Sequence, residues 1–134
     1  MTHEFGAGVL VVGILFCLMT TWISGAKPAA FAERLGLTVA NPGGVNEVRA
    51  QYAGFFLAIA AVCAAALAGL LPREAAFVVL GTVFGGLIAG RLASLALNGG
   101  VVGYTPSICA LYVIDSLGFA LAAAAFMLDT PGAA

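Results

Sequence analysis

Charged residues are scarce in this sequence: Asp, Glu, Lys and Arg together make up 8% of its 134 residues. A soluble domain of this length carries about a quarter of its residues as charges. With five basic and six acidic residues, the chain also lacks the clustered Lys and Arg that nucleic-acid binding requires. These shortages exclude a soluble globular domain and exclude nucleic acid as a partner.

Residues that carry catalysis or bind metals are equally few. The single histidine is His3, and the three cysteines, Cys17, Cys63 and Cys109, lie far apart in apolar stretches without metal-ligand spacing. The sequence shows no Ser/His/Asp set and no Gly-rich loop suited to phosphate. We therefore predict no enzymatic activity, no metal and no cofactor, and we expect His3 to be an untethered terminal residue.

Apolar residues are abundant instead, at 63% of the sequence with a mean hydropathy of +1.12. One membrane crossing requires roughly 20 apolar helical residues, and the sequence predicts four such helices, over about residues 5–26, 47–71, 74–97 and 107–128. The first stretch lacks the basic start of a signal peptide, so we interpret it as a retained helix. The prediction is an all-α integral membrane four-helix bundle forming a single transmembrane domain over residues 1–134.

The segment after the first crossing is amphipathic. Between residues 28 and 37, Phe31 and Leu35 share one helical face, and Glu33 and Arg34 lie opposite. This pattern is typical of a short helix lying in the membrane interface. Further along, Asn46 is expected to cap the second crossing.

Four crossings place both termini on one side of the membrane and the two long loops, near residues 27–46 and 98–106, on the other. The long-loop side carries Lys27, Arg34 and Arg49, whereas the terminal side carries Arg73. The positive-inside rule then predicts cytoplasmic long loops and termini on the non-cytoplasmic side.

Small residues at four-residue spacing allow helices to approach closely in lipid. The third crossing has two such pairs, Gly81 with Gly85 and Gly86 with Gly90. Because these pairs lie on different faces, we expect this helix to pack against two neighbours. The pairs serve either packing within the bundle or association with a partner subunit.

Two ionisable residues fall inside predicted crossings, where charge is costly and marks a candidate functional site. Arg91 and Asp115 lie at depths of about 9 Å and about 12 Å from the long-loop side, at 1.5 Å rise per residue. Opposite charges at matching depth on consecutive antiparallel helices predict an ion pair facing the bundle interior.

More polar residues open the second crossing on the same side. Glu47, Arg49 and Tyr52 are expected to join Arg91 and Asp115 in one buried polar cluster. Two interpretations stay open for this cluster. It is either a salt-bridge network that fixes helix register, or a pocket in which Arg49 or Arg91 meets an anionic headgroup, a carboxylate or a quinone-like carbonyl.

Residues 46–54 (NEVRAQYAG) follow a Pro/Gly loop and open a helix. This stretch resembles the signature of an uncharacterised bacterial family of small four-helix membrane proteins, domain of unknown function 4345. Ala53 departs from the usual glycine of that signature. The resemblance implies a bacterial inner membrane location and no known activity. The positions that match the family pattern are Glu47, Arg49, Tyr52, Gly54, Arg91 and Asp115.

From these features we expect a non-enzymatic membrane subunit or scaffold that packs against lipids, another membrane protein or a second copy of itself. The alternative is a carrier or pore for a small molecule or ion, with a polar site formed by Arg49, Arg91 and Asp115. Four short helices leave little room for a continuous path, so transport would require an oligomer.

Overall fold

The computed structural model describes residues 2–129, and it confirms the all-helical membrane fold. Four helices are long and apolar enough to span a membrane, and within residues 2–129 no strand occurs. The predicted domain covers residues 1–134, of which residue 1 and residues 130–134 lie outside the described part. The candidate spans are His3–Ala26, Pro42–Leu67, Arg73–Asn98 and Pro106–Asp129.

The first crossing, α1 (Thr2–Ala26), is followed at once by the predicted short helix, α2 (Pro28–Arg34). Proline suits the first helical position of α2 because its missing N–H would have no partner there. The helix ends at Arg34, and Gly36 follows with a left-handed φ of 75°. The amide of Leu37 then reaches back to the carbonyl of Ala32 at 2.9 Å, closing a Schellman turn.

The second crossing begins earlier and ends earlier than predicted. It consists of α3 (Pro42–Val48), a π-helix (Arg49–Gly54) and α4 (Phe55–Leu67). The expected cap at Asn46 was wrong, because the Asn41 side chain accepts from the amide of Gly44 at 3.0 Å and Pro42 follows it. At the other end the helix stops at Leu67, since Gly69 adopts a φ of 76° and closes the helix.

The third and fourth crossings are α5 (Arg73–Asn98) and α6 (Pro106–Asp129), within one residue of the predicted bounds. These two helices pack extensively against each other, and α1 packs against both the second crossing and α6. Phe84 of α5 lies against Gly118 of α6, and Phe119 of α6 lies against Gly85 of α5. The bundle core includes Leu10, Cys17, Ile59, Cys63, Phe77 and Leu80.

Many large apolar side chains point away from this core. Leu15, Trp22, Val113 and Met127 are each more than half exposed. In water such a surface would be an aggregation hazard, whereas in a bilayer it is the surface that lipid covers. The small core and the apolar exterior are those of a membrane protein.

Candidate functional site

Arg91 and Asp115 form an ion pair between α5 and α6, as their depths predict. The Nε of Arg91 donates to the Oδ2 of Asp115 at 2.5 Å. Asp115 is almost completely buried, with its side chain 2% exposed, and the Arg91 side chain is 20% exposed. Because Asp115 is the more buried of the two, its negative charge has little contact with solvent, and the positive charge of Arg91 compensates it.

The Arg91 guanidinium has further N–H donors that the contact with Asp115 does not use. A guanidinium carries five N–H donors, and the contact with Asp115 uses the one on Nε. The two terminal nitrogens, Nη1 and Nη2, make no hydrogen bond within residues 2–129. The backbone is held separately, since the Tyr112 hydroxyl donates to the Arg91 carbonyl at 2.9 Å. Four N–H groups of Arg91 therefore remain available to a ligand.

Near Arg91, Ser94 and Asn98 of α5 form a small network with Tyr104 of the following loop. The Asn98 amide donates to the Ser94 hydroxyl at 3.2 Å and to the Tyr104 hydroxyl at 3.4 Å, and these two hydroxyls lie 3.2 Å apart. Hydrogen bonding to Ser94, and then to Asn98, holds the pKa of the Tyr104 phenol below its ordinary value. One hydroxyl must donate to the other, so the second keeps a proton that it can donate elsewhere.

A cavity of about 340 Å³ connects the Arg91 side chain with this network. Its volume is within the range of small-molecule sites. It lies between α5 and α6 under the turn that ends α2, and Thr105 ties that turn down by donating to the Arg34 carbonyl at 2.8 Å. The lining residues are Leu35, Gly36, Gly90, Arg91, Ser94, Gly103, Tyr104, Thr105, Ile108 and Tyr112.

Glu47, Arg49 and Tyr52 do not join Arg91 and Asp115, and their predicted place in one buried cluster was wrong. Glu47 and Arg49 are exposed, and the Nε of Arg49 donates to the Gly25 carbonyl at 3.2 Å. Tyr52 is half-buried against Phe31, with ring centroids 4.9 Å apart. The reason is positional: the π-helix packs chiefly against α1.

A second ion cluster, which the sequence reasoning missed, lies on the terminal side of the membrane. Arg73 Nη1 donates to the His3 carbonyl at 2.9 Å, contacts the His3 ring, and reaches the Oδ2 of Asp129 at 3.4 Å. The Asp129 side chain is only 6% exposed although the residue ends α6. The expectation that His3 is untethered was therefore wrong. The four-crossing topology could have indicated this cluster, since it places all three residues on the same membrane face.

The two glycine pairs of α5 have different surroundings. A β-carbon built on Gly85 would lie 3.1 Å from the Phe119 ring, and one on Gly81 would lie 3.9 Å from Ala122, so this pair packs on α6. Nothing in the described structure lies within 4 Å of a β-carbon built on Gly86 or Gly90. As expected, α5 packs against two neighbours, α6 and α4, but the Gly86 and Gly90 pair contacts neither of them in the described structure.

Comparison with known proteins gives one match. A family model described as Domain of unknown function (DUF4345) matches residues 7–113. No curated protein and no solved structure matches the chain. The matched range includes the 46–54 stretch, Arg91 and every lining residue of the cavity, and it ends two residues before Asp115.

Proposed function

This chain belongs to the DUF4345 family of unknown function, and from that premise and its geometry we propose that it is a non-enzymatic membrane subunit or scaffold. It packs its apolar surface against lipids and its α5 against a helix of a partner, either another membrane protein or a second copy. The observation that carries the proposal is the open glycine face of α5, defined by Gly86 and Gly90.

Glycine in a helix interior costs about 1 kcal/mol relative to alanine. Gly81 and Gly85 offset that cost by allowing contact with α6, but Gly86 and Gly90 have no such contact in the described chain. In lipid, helices associate by close backbone packing, for which two glycines at four-residue spacing are suited. Exposed Ala89 and Ala93 extend the same small surface.

The test measures association in lipid nanodiscs by native mass spectrometry. We expect the wild-type chain to be found with a second copy or a stoichiometric partner, and the Gly86→Leu/Gly90→Leu variant to be found alone. The Ala61→Leu/Ala64→Leu variant enlarges exposed positions of α4 and should associate normally. A wild-type chain that is always monomeric and without a bound protein would contradict the proposal.

Membrane type and orientation are part of the same proposal. Lys27, Arg34 and Arg49 are all exposed on the long-loop side, so each contributes to the positive-inside count. We propose that this side faces the cytoplasm of a bacterial inner membrane. An impermeant maleimide applied to intact spheroplasts should not label a Thr38→Cys variant of the cysteine-free chain, and it should do so after lysis.

A second candidate function, a small-molecule carrier, is favoured by the cavity beside Arg91. Its polar site consists of Arg91 and Asp115 without Arg49, which lies against α1. The test is uptake of labelled phosphate and acetate by proteoliposomes. Uptake that the Ser94→Ala/Tyr104→Phe variant loses would support a carrier, and wild-type uptake no faster than that of empty liposomes would exclude transport of these anions.

A further inference from the structure

We propose that the cavity beside Arg91 is a binding site for an oxyanion group, a phosphate or a carboxylate, on the long-loop side of the membrane. This proposal rests on the second candidate function, the carrier, only in that both require a binding site at this cavity, and it adds the class of ligand. Binding does not require transport.

The first step is the free end of the guanidinium. The buried carboxylate of Asp115 accepts the hydrogen bond from the Nε of Arg91. Arg91 lines the cavity, and its Nη1 and Nη2 make no hydrogen bond to residues 2–129. Two terminal nitrogens side by side can bind a carboxylate or phosphate in a bidentate manner. With Nε held by Asp115, this pair of nitrogens is what Arg91 keeps for a ligand in the cavity.

The second step is the number of O–H donors that Ser94 and Tyr104 have left for a ligand. Ser94 and Tyr104 both line the cavity, and both hydroxyls already accept from the Asn98 amide. One O–H bond is used between them, so the other is left as a donor. Together with the four N–H groups of Arg91, the polar wall offers mainly donors. A ligand rich in acceptors, such as an oxyanion, complements such a wall.

The third step is the distribution of charge between the two membrane faces. Four of the five basic residues and three of the six acidic residues belong to the long-loop half, which gives that half a net charge of +1. The terminal half holds one basic and three acidic residues, a net charge of −2. An anion is therefore favoured on the long-loop side, where Arg91 is one of the four basic residues.

The test uses native mass spectrometry of the full chain in phosphatidylcholine nanodiscs. Phosphatidic acid and phosphatidylcholine of the same chain length are titrated against each other. We expect the wild type to retain phosphatidic acid preferentially. We expect the Ser94→Ala/Tyr104→Phe variant, which leaves the ion pair intact, to bind phosphatidic acid about tenfold more weakly, because one hydrogen bond to a charged group is lost.

The matched control is Arg34→Gln, which removes an exposed basic residue of the same membrane face that does not line the cavity. It should bind phosphatidic acid as the wild type does. If Arg34→Gln weakened phosphatidic acid binding as much as Ser94→Ala/Tyr104→Phe does, surface charge alone would explain the effect and the proposal would be overturned. Equal affinity of the wild type for the two lipids would also overturn it. The Arg91→Gln/Asp115→Asn variant removes the cation without stranding a buried charge, and it should lose the preference.

Two further arms identify the source of the oxyanion. Inorganic phosphate or acetate that displaces phosphatidic acid would support a soluble ligand at the same site. Displacement by neither would support a lipid headgroup. Absence of transport in proteoliposomes, with binding intact, would exclude the carrier and leave the site established.

Discussion

Phe84 of α5 lies so close to Gly118 of α6 that a β-carbon built on Gly118 would stand 2.7 Å from the Cγ of the ring. Phe84 is buried, at 6% exposure, so its ring has little space to move away. At the adjacent positions, the Phe119 ring of α6 lies against Gly85 of α5. The contact between α5 and α6 thus depends on two aromatic rings that each pack on a glycine of the other helix.

Gly118→Ala should therefore destabilise the bundle by about 1–3 kcal/mol, the usual effect of overpacking. This opposes intrinsic helix propensity, which favours alanine over glycine by about 1 kcal/mol. Gly90→Ala is the matched control, because nothing described lies near its β-carbon, and it should be neutral or stabilising. Unfolding in mixed micelles measures both. Equal stability of the two variants would show that the ring of Phe84 adapts without cost.

The buried ion pair leads to a second prediction. Arg91→Met alone leaves Asp115, 2% exposed, without its partner, and it should cost about 3–5 kcal/mol. The double change Arg91→Met/Asp115→Leu strands no charge and should cost clearly less than either single change. A double-mutant cycle in the same micelles gives the coupling. Additive losses would mean that the two residues do not depend on each other.

A third prediction concerns the link between α1 and the π-helix. The Thr21 hydroxyl donates to the Ala53 carbonyl at 3.1 Å, across 32 positions of sequence. Thr21→Val keeps the shape of the side chain and should cost about 1 kcal/mol through loss of that hydrogen bond. Thr20→Val is the control, because the Thr20 hydroxyl donates within its own helix, to Phe16, and it should cost little. A reversed order of the two losses would contradict this role of Thr21.

The spans and the Arg91–Asp115 pair were predictable because both follow from lengths along the chain. Hydrophobic length fixes where helices cross the membrane, and 1.5 Å per residue fixes the depth of a charge. The facing of Glu47 and Arg49 does not follow from length. The π-helix, Arg49–Gly54, has an extra residue in its turn. Side chains before it, such as Glu47, are therefore rotated by about 100° from where a helix continuous with α4 would place them. Which element packs beside Arg49 depends on the arrangement of the whole bundle.

The glycine faces and the terminal cluster show two other limits. Spacing identifies Gly86 and Gly90 as a surface for close approach, but whether a neighbour of the same chain covers it depends on the arrangement of the helices. Topology alone predicts that Arg73, His3 and Asp129 lie on one membrane face, where the structure brings them into contact. This contact was missed because residues near chain ends were assumed to be frayed.

The last prediction tests that terminal cluster. The Asp129 side chain is 6% exposed, and its Oδ2 lies 3.4 Å from the Nη1 of Arg73. It also lies against Gly6, where a β-carbon would meet the carboxylate. Asp129→Asn keeps the size of the side chain and removes the charge that faces Arg73. Because Arg73 also holds the His3 carbonyl, a weaker hold on Arg73 loosens the start of α1. We expect amide exchange in the first turns of α1 to rise about tenfold, equivalent to about 1.4 kcal/mol of local stability.

Glu74→Gln is the matched control, since Glu74 forms no ion pair within residues 2–129, and it should leave this exchange unchanged. If Asp129→Asn exchanges as slowly as the wild type, the carboxylate does not hold Arg73, and the start of α1 is fixed by apolar packing.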